Sequence, residues 1–213
     1  MKQLKVPYLE CLDDMGLSEI GPILETEAVR EYIHSVNWKE YPYCPIAVFD
    51  IARSKTCLYL RYFIKGYSLK AVYNENGSNV HKDSCVEFFC KKPEDKQYIN
   101  FEFNCIGTCD AAHRESREIK TPFTAEEYAQ IRHYATAGTQ PFEERKGIHS
   151  WELTVAIPFR LMGIDEEHLP QKLLANFYHC ADETDYPRFI SWNPIDVPSP
   201  DFHRPEYFGE IYL

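Results

Sequence analysis

Glu87, Asn100, Glu102 and Asn104 are the residues whose types and spacing are suited to chemistry. Asn100, Glu102 and Asn104 stand at i, i+2 and i+4 in an alternating run, so on a strand they share one face at about 7 Å intervals. Glu87 lies in a second β-type segment that a short connection brings back beside the first. Such a row of carboxylates and amides accepts and donates hydrogen bonds in the way hydroxyl groups or a cation require. Two carboxyl groups on adjacent strands are also the raw material of a retaining glycosidase, which needs them roughly 5–5.5 Å apart. Asp83 and Glu87 share a face but stand about 13 Å apart on a strand, too far even for the inverting arrangement. A solvated outer sheet face accounts for the same pattern without chemistry.

The elements that must hold these residues are a hairpin. Its arms are Cys85-Val86-Glu87-Phe88-Phe89-Cys90 and Tyr98 to Cys105, joined by the polar connection Lys91 to Lys96. In the second arm Ile99, Phe101, Phe103 and Cys105 alternate with the polar set, the period-2 signature of a half-buried strand. Further strands are expected over Ile46–Ile51, Cys57–Ile64, Leu69–Tyr73, Gln130–Thr136, Ser150–Ile157, Leu173–Cys180, Ile190–Trp192 and Tyr207–Leu213. Val29 and Ile33 suggest a short helix over Glu27–His34, and Thr124 to Glu127 has capping-box spacing. The stretch from Asn193 to Pro200 is too rich in proline for regular structure. Many strands with little helix predict an all-β fold, an antiparallel β-sandwich of jelly-roll type with one or two short helices. Residues 1–37 read as an N-terminal flank packed on a domain spanning 38–213.

Composition narrows the partners. Of 213 residues, 33 are acidic and 23 basic, a formal charge of −10, which disfavours binding to a phosphate backbone and so nucleic acid. Aromatic residues make up 15%, enough for a core and for flat stacking surfaces. No stretch reaches the ~18 apolar residues of a membrane span, and the N-terminus lacks the apolar run of a leader. The expectation is a cytoplasmic protein, or a secreted or periplasmic one where a leader has been removed. Most of the eight cysteines sit in apolar strand patterns and read as buried thiols. Cys105, Cys109 and His113 have zinc-like spacing but lack a paired C-x-x-C half-site. No organic cofactor motif and no G-x-S-x-G element is present.

Four blocks resemble a known family: Lys82 to Phe89, Tyr98 to Gly107, Asn176 to Asp182, and Ser191-Trp192-Asn193-Pro194 continuing through Phe202-His203-Arg204-Pro205-Glu206-Tyr207-Phe208-Gly209. Their order and spacing are similar to the family 9 carbohydrate-binding modules, in particular the larger stand-alone family 9-like proteins of gut bacteria. The resemblance implies a β-sandwich that binds a mono- or oligosaccharide end, in a setting of polysaccharide breakdown such as that of xylan, beside glycoside hydrolases. It implies Trp192 as one stacking plate and His81 at the place of the second. Glu87, Glu102, Asn104 and His179 fall at or near the family's polar ligand contacts. Structural calcium is implied as well, with Asp83, Asp110 and Asp182 as candidate ligands. Three functions remain open on the residues alone: a non-catalytic sugar binder, an endoxylanase-like hydrolase using Glu87 and Glu102, and a scaffold or interaction domain with a decayed sugar groove.

Overall fold

Alternating apolar and polar residues build two sheets that meet on their apolar faces. The computed structural model describes residues 1–213. The first half of the chain forms β1 (Gln3–Lys5), α1 (Leu17–Glu27), β2 (Val29–Tyr32), β3 (Ser35–Val36), β4 (Ile46–Arg53) and β5 (Cys57–Ala71). The hairpin follows as β6 (Cys85–Lys91) and β7 (Tyr98–Asn104), then β8 (Cys109–Arg114) and β9 (Lys120–Pro122). The remainder is α2 (Ala125–Tyr128), β10 (Arg132–Ala135), β11 (Phe142–Pro158), β12 (Lys172–Cys180), β13 (Phe189–Ser191) and β14 (Gly209–Tyr212). No helix is long and apolar enough to cross a membrane.

The first sheet runs β1-β14-β12-β6-β7-β8-β9, with β13 on the other end of the β12 edge and β3 beside it. The second runs β10-β11-β5-β4-β2. Every pairing is antiparallel except β1 with β14. Val86, Phe88, Phe101, Phe103 and Phe177 of the first sheet pack with Phe49, Leu60, Tyr62, Leu153 and Val155 of the second in one continuous core. Phe49 and Phe177 stack across it with ring centroids 3.8 Å apart. Each such side chain contributes about 1.5–3 kcal/mol through burial.

Both outer faces are covered as well. On the second sheet, α1 lays Ile20 and Leu24 against Ala52, Tyr59 and Ala156. On the first, the proline-rich segment after β13 lays Ile195, Phe202 and Phe208 against Phe89, Tyr98 and Tyr178. This cover gives the first sheet an outer face that is polar in sequence and buried in space.

Two sequence expectations need correction. Glu27–His34 is not a helix: Val29–Tyr32 is a strand paired with Val48–Ile51, and the helix lies one segment earlier. A spacing of four puts Val29 and Ile33 on one side of a helix and equally on one side of a strand, so the stripe did not discriminate. Leu69–Tyr73 is not a separate strand, because β5 continues through Ser68, which takes φ +70° where the register with β11 shifts. That is a bulge, which bends a strand without ending it. Residues 1–37 contribute β1 and β2, edge strands of the first and second sheets. The Thr124 cap forms as its spacing requires: Thr124 Oγ1 accepts from the Glu127 amide at 3.2 Å, and Glu127 accepts from the Thr124 amide at 2.7 Å.

Candidate functional site

Register assembles the site. Glu87 on β6 stands directly opposite Glu102 on β7, and Glu102 directly opposite Asp110 on β8. Val86, Phe88, Phe101, Phe103 and Ala111 point into the core, so alternation turns all three acids outward. Adjacent strands lie about 4.7–4.9 Å apart, so the three carboxyl groups form a row across the sheet. All are nearly inaccessible: Glu87 is 2%, Glu102 4% and Asp110 6% exposed. They form the floor of a cavity of about 200 Å³, roofed by Phe202 and His203 of the C-terminal segment and flanked by His81 and Asp182.

Burial and mutual repulsion dominate the electrostatics. Loss of hydration, then the charge of Asp110, holds Glu102 at about 8. Loss of hydration, then the charge of Glu102, drives Glu87 well above the usual carboxylate range. Both are pushed toward the protonated form, and a facing pair of this kind titrates as a unit that shares protons. Burial also lifts Asp182 to about 6.

Neighbouring groups answer part of this charge. The Asn100 amide donates to Glu102 at 3.0 Å, and Arg114 Nε donates to the Asn100 carbonyl at 2.5 Å. Lys120 Nζ and an Arg114 terminal nitrogen lie 3.6 and 4.0 Å from Asp110. The Cys180 thiol donates to Glu87 at 3.1 Å. His81 Nδ1 is 3.8 Å from Glu102, but burial, then Lys82, lowers the pKa of His81, which weakens this as an ion pair. Oδ1 of Asp110 and Oδ1 of Asp182 are buried with no hydrogen-bond partner. Both are acceptors left without a protein donor.

The structure brings together only some of the expected site residues. His81, Glu87, Glu102, Asp110 and Asp182 all line the cavity. Trp192 does not. It is fully buried in the main core, edge-on to Phe49 and Phe177, with its indole N–H donated to Glu31 at 3.1 Å. Its amide donates to Phe177 O, which sets it beside Phe177 on the inner face, so it has no surface to offer a sugar. His179 is likewise inward: its Nδ1 meets Cys85 O at 2.7 Å, its Nε2 accepts from Arg188 at 2.8 Å, and burial holds it neutral.

Asn104 and Asp83 form a clasp that builds the site's end without facing the cavity. The Asn104 amide donates to Tyr73 O at 2.7 Å and Asp83 at 3.0 Å, while its carbonyl accepts from the Ile106 and Thr108 amides. Asp83 accepts from the Val72 and Tyr73 amides at 3.0 Å each. With Asp83 saturated by protein donors, and Asp110 beside Lys120 and Arg114, these acids and Asp182 do not gather into one oxygen cage. They do not fit a shared calcium site.

Sequence reasoning missed Arg114 and Lys120 as well as Phe202 and His203. Asp110, Ala112 and Arg114 do alternate, and with β7 as template this pattern would have extended the row. The roof has no periodicity; its only signal is the density of apolar residues, Ile195, Val197 and Phe202, among prolines.

Comparison with known proteins agrees with this architecture. The profile of carbohydrate-binding family 9 matches residues 21–213. The crystal structure of a candidate carbohydrate-binding protein from Bacteroides uniformis is similar at 32% identity and TM-score 0.91, covering 99% of this chain and 98% of that one. A family 9 carbohydrate-binding module from Caldicellulosiruptor kristjanssonii, solved with glucose, shares the fold at TM-score 0.57 and 14% identity, covering 100% of this chain and 95% of that one. Solved with cellotriose, a family 9 module from the same organism gives TM-score 0.53 and 14% identity, covering 100% and 93%. No curated protein matches the chain.

Proposed function

The chain belongs to carbohydrate-binding family 9, and on that premise we propose that its buried carboxylate row binds a mono- or oligosaccharide end without catalysis. The observation that carries the reading is the pairing of Glu87 with Glu102 at the floor of the cavity roofed by the C-terminal segment. A pair sharing protons offers both a donor and an acceptor to neighbouring sugar hydroxyls, and the unpartnered oxygens of Asp110 and Asp182 add two acceptors. Phe189 and Phe202 border the cavity and supply apolar surface for the C–H face of a sugar ring. A volume of about 200 Å³ lies below the ~300–1,000 Å³ of drug-sized pockets and suits a single ring.

The family supports binding over hydrolysis: the matching profile is that of a carbohydrate-binding family, and the structure at 32% identity is that of a candidate carbohydrate-binding protein. The finer identity of the sugar is a proposal on the same footing: the end of a glucose- or xylose-containing chain, including one from xylan.

Calorimetric titration with glucose, xylose, cellobiose and xylobiose tests the reading. We expect saturable binding to at least one sugar, weakened tenfold or more in Glu102→Gln, about 1.4 kcal/mol. Silence across the panel, or affinity indifferent to that substitution, overturns it.

A further inference from the structure

Cys85 and Cys180 stand directly opposite one another on β6 and β12, and Glu87 is two residues from Cys85 on the same face. One sulfur from each cysteine and a carboxylate oxygen of Glu87 all lie within 4.8 Å of one another. We propose that these three side chains form a site for a thiophilic divalent metal, Zn²⁺ above all, in the inner wall of the cavity.

The distances fit that chemistry. Tetrahedral zinc with Zn–S of about 2.3 Å and Zn–O of about 2.0 Å sets its sulfur and oxygen ligands roughly 3.5 Å apart. The observed separations from Glu87 Oε1 are 3.1 Å to Cys180 Sγ and 4.0 Å to Cys85 Sγ. The thiols' other contacts are weak: Cys85 reaches Val86 O at 3.7 Å and Cys180 reaches His81 O at 3.6 Å. A metal therefore displaces little.

An entry path is present, and a further carboxylate stands beside Cys180, outside the three-residue group. Asp182 lies beside Cys180 and keeps a buried Oδ1 without a partner. Glu87, Cys180 and Asp182 all line the cavity, which connects them to solvent. Two thiols with one or two carboxylates form a borderline-soft set that selects zinc over calcium or magnesium. On binding, both thiols lose their protons to the buffer, together with any proton held on Glu87, while metal–sulfur and metal–oxygen bonds form with no change of oxidation state. No other group of three potential ligands comes this close in the molecule.

The test is titration of the intact chain, kept reduced by a phosphine, with Co²⁺ and then Zn²⁺. We expect a thiolate-to-cobalt absorption that saturates near about one metal per chain and is displaced by zinc. It should persist in Cys11→Ser/Cys44→Ser, which removes the two exposed thiols. It should vanish in Cys180→Ser and weaken at least tenfold in Glu87→Gln. Absence of the band in the wild type, or its survival in Cys180→Ser, refutes the site. Where Cys180→Ser does not fold, Glu87→Gln decides: unchanged cobalt affinity there refutes it equally. Glu87 serves both readings, but no sugar enters this readout, so a failure of the metal site is distinguishable from a failure of the sugar site.

Discussion

The two faces of the first sheet are made from the same strands, one residue out of step, and they are stabilised by different physics. The inner face carries Val86, Phe88, Phe101, Phe103 and Phe177 with Trp192, and its cohesion comes from burial and close packing. The outer face carries Glu87, Asn100, Glu102, Asp110 and Arg114, equally hidden beneath the C-terminal segment. There the strands bury charge that is only partly answered. The inner face holds a polar group only where it is paired, as His179 is with Cys85 O and Arg188, whereas the outer face retains unpartnered acceptors, and those make it the candidate binding surface.

The sharpest way to break this comparison is at Trp192. Trp192→Ala should cost about 3–5 kcal/mol by urea unfolding, through loss of packing against Phe49 and Phe177. Sugar affinity per folded molecule should hold. Affinity lost with stability intact would put Trp192 back at the ligand.

Asn104→Ala comes next. It removes a side chain with four hydrogen bonds to the clasp, two of them from backbone amides. A fall of about 1–3 kcal/mol in unfolding free energy is expected from the groups left unpaired. A variant as stable as the parent would show that Tyr73, Asp83 and the turn after β7 hold without it.

The outer face should respond in the opposite sense. The folded-state pKa of Glu102 is about 8, above the 4.5 of a free glutamate. Between these values the folded chain holds more protons than the unfolded one, so stability falls as pH rises from about 4.5 to about 8. Glu102→Gln removes its share of that dependence and should reduce the slope of the urea midpoint across this window while lowering sugar affinity, with Glu87 keeping the part that burial gives it. A wild-type midpoint that climbs over the window contradicts a buried, proton-sharing pair.

Asp182→Asn should have the smallest effect. Asp182 is held at about 6 and is less enclosed than the row. Replacing it should change affinity only modestly, and mainly above pH 6, where the native carboxylate is ionised. Titrations at pH 5 and pH 8 separate this from a uniform loss.

Much of this division was legible in the sequence. Strict alternation over Tyr98–Cys105 assigned both faces of β7 correctly, because a period of two leaves each side chain only two directions. The same rule, applied to Ile190 and Trp192 as partners of His179 and Phe177, would have turned Trp192 inward, but pairing is not visible until the strands meet. Asn104 sits on the outer face as read, yet the chain turns immediately after it, and the turn claims its side-chain carbonyl. The roof over the cavity was not legible, since Asn193 to Pro200 has no repeat and its place is set by apolar contacts with Tyr98 and Tyr178, far away in the chain.

The proposed ligand position is the outer face of the first sheet, beneath the C-terminal segment, and crystals grown with saturating cellobiose test it. A sugar ring is expected in the cavity with hydroxyls within hydrogen-bond reach of both Glu87 and Glu102. A ring bound elsewhere, for instance on the exposed Tyr67 and Tyr186, which stack at 5.6 Å, with the carboxylate row untouched, would contradict it.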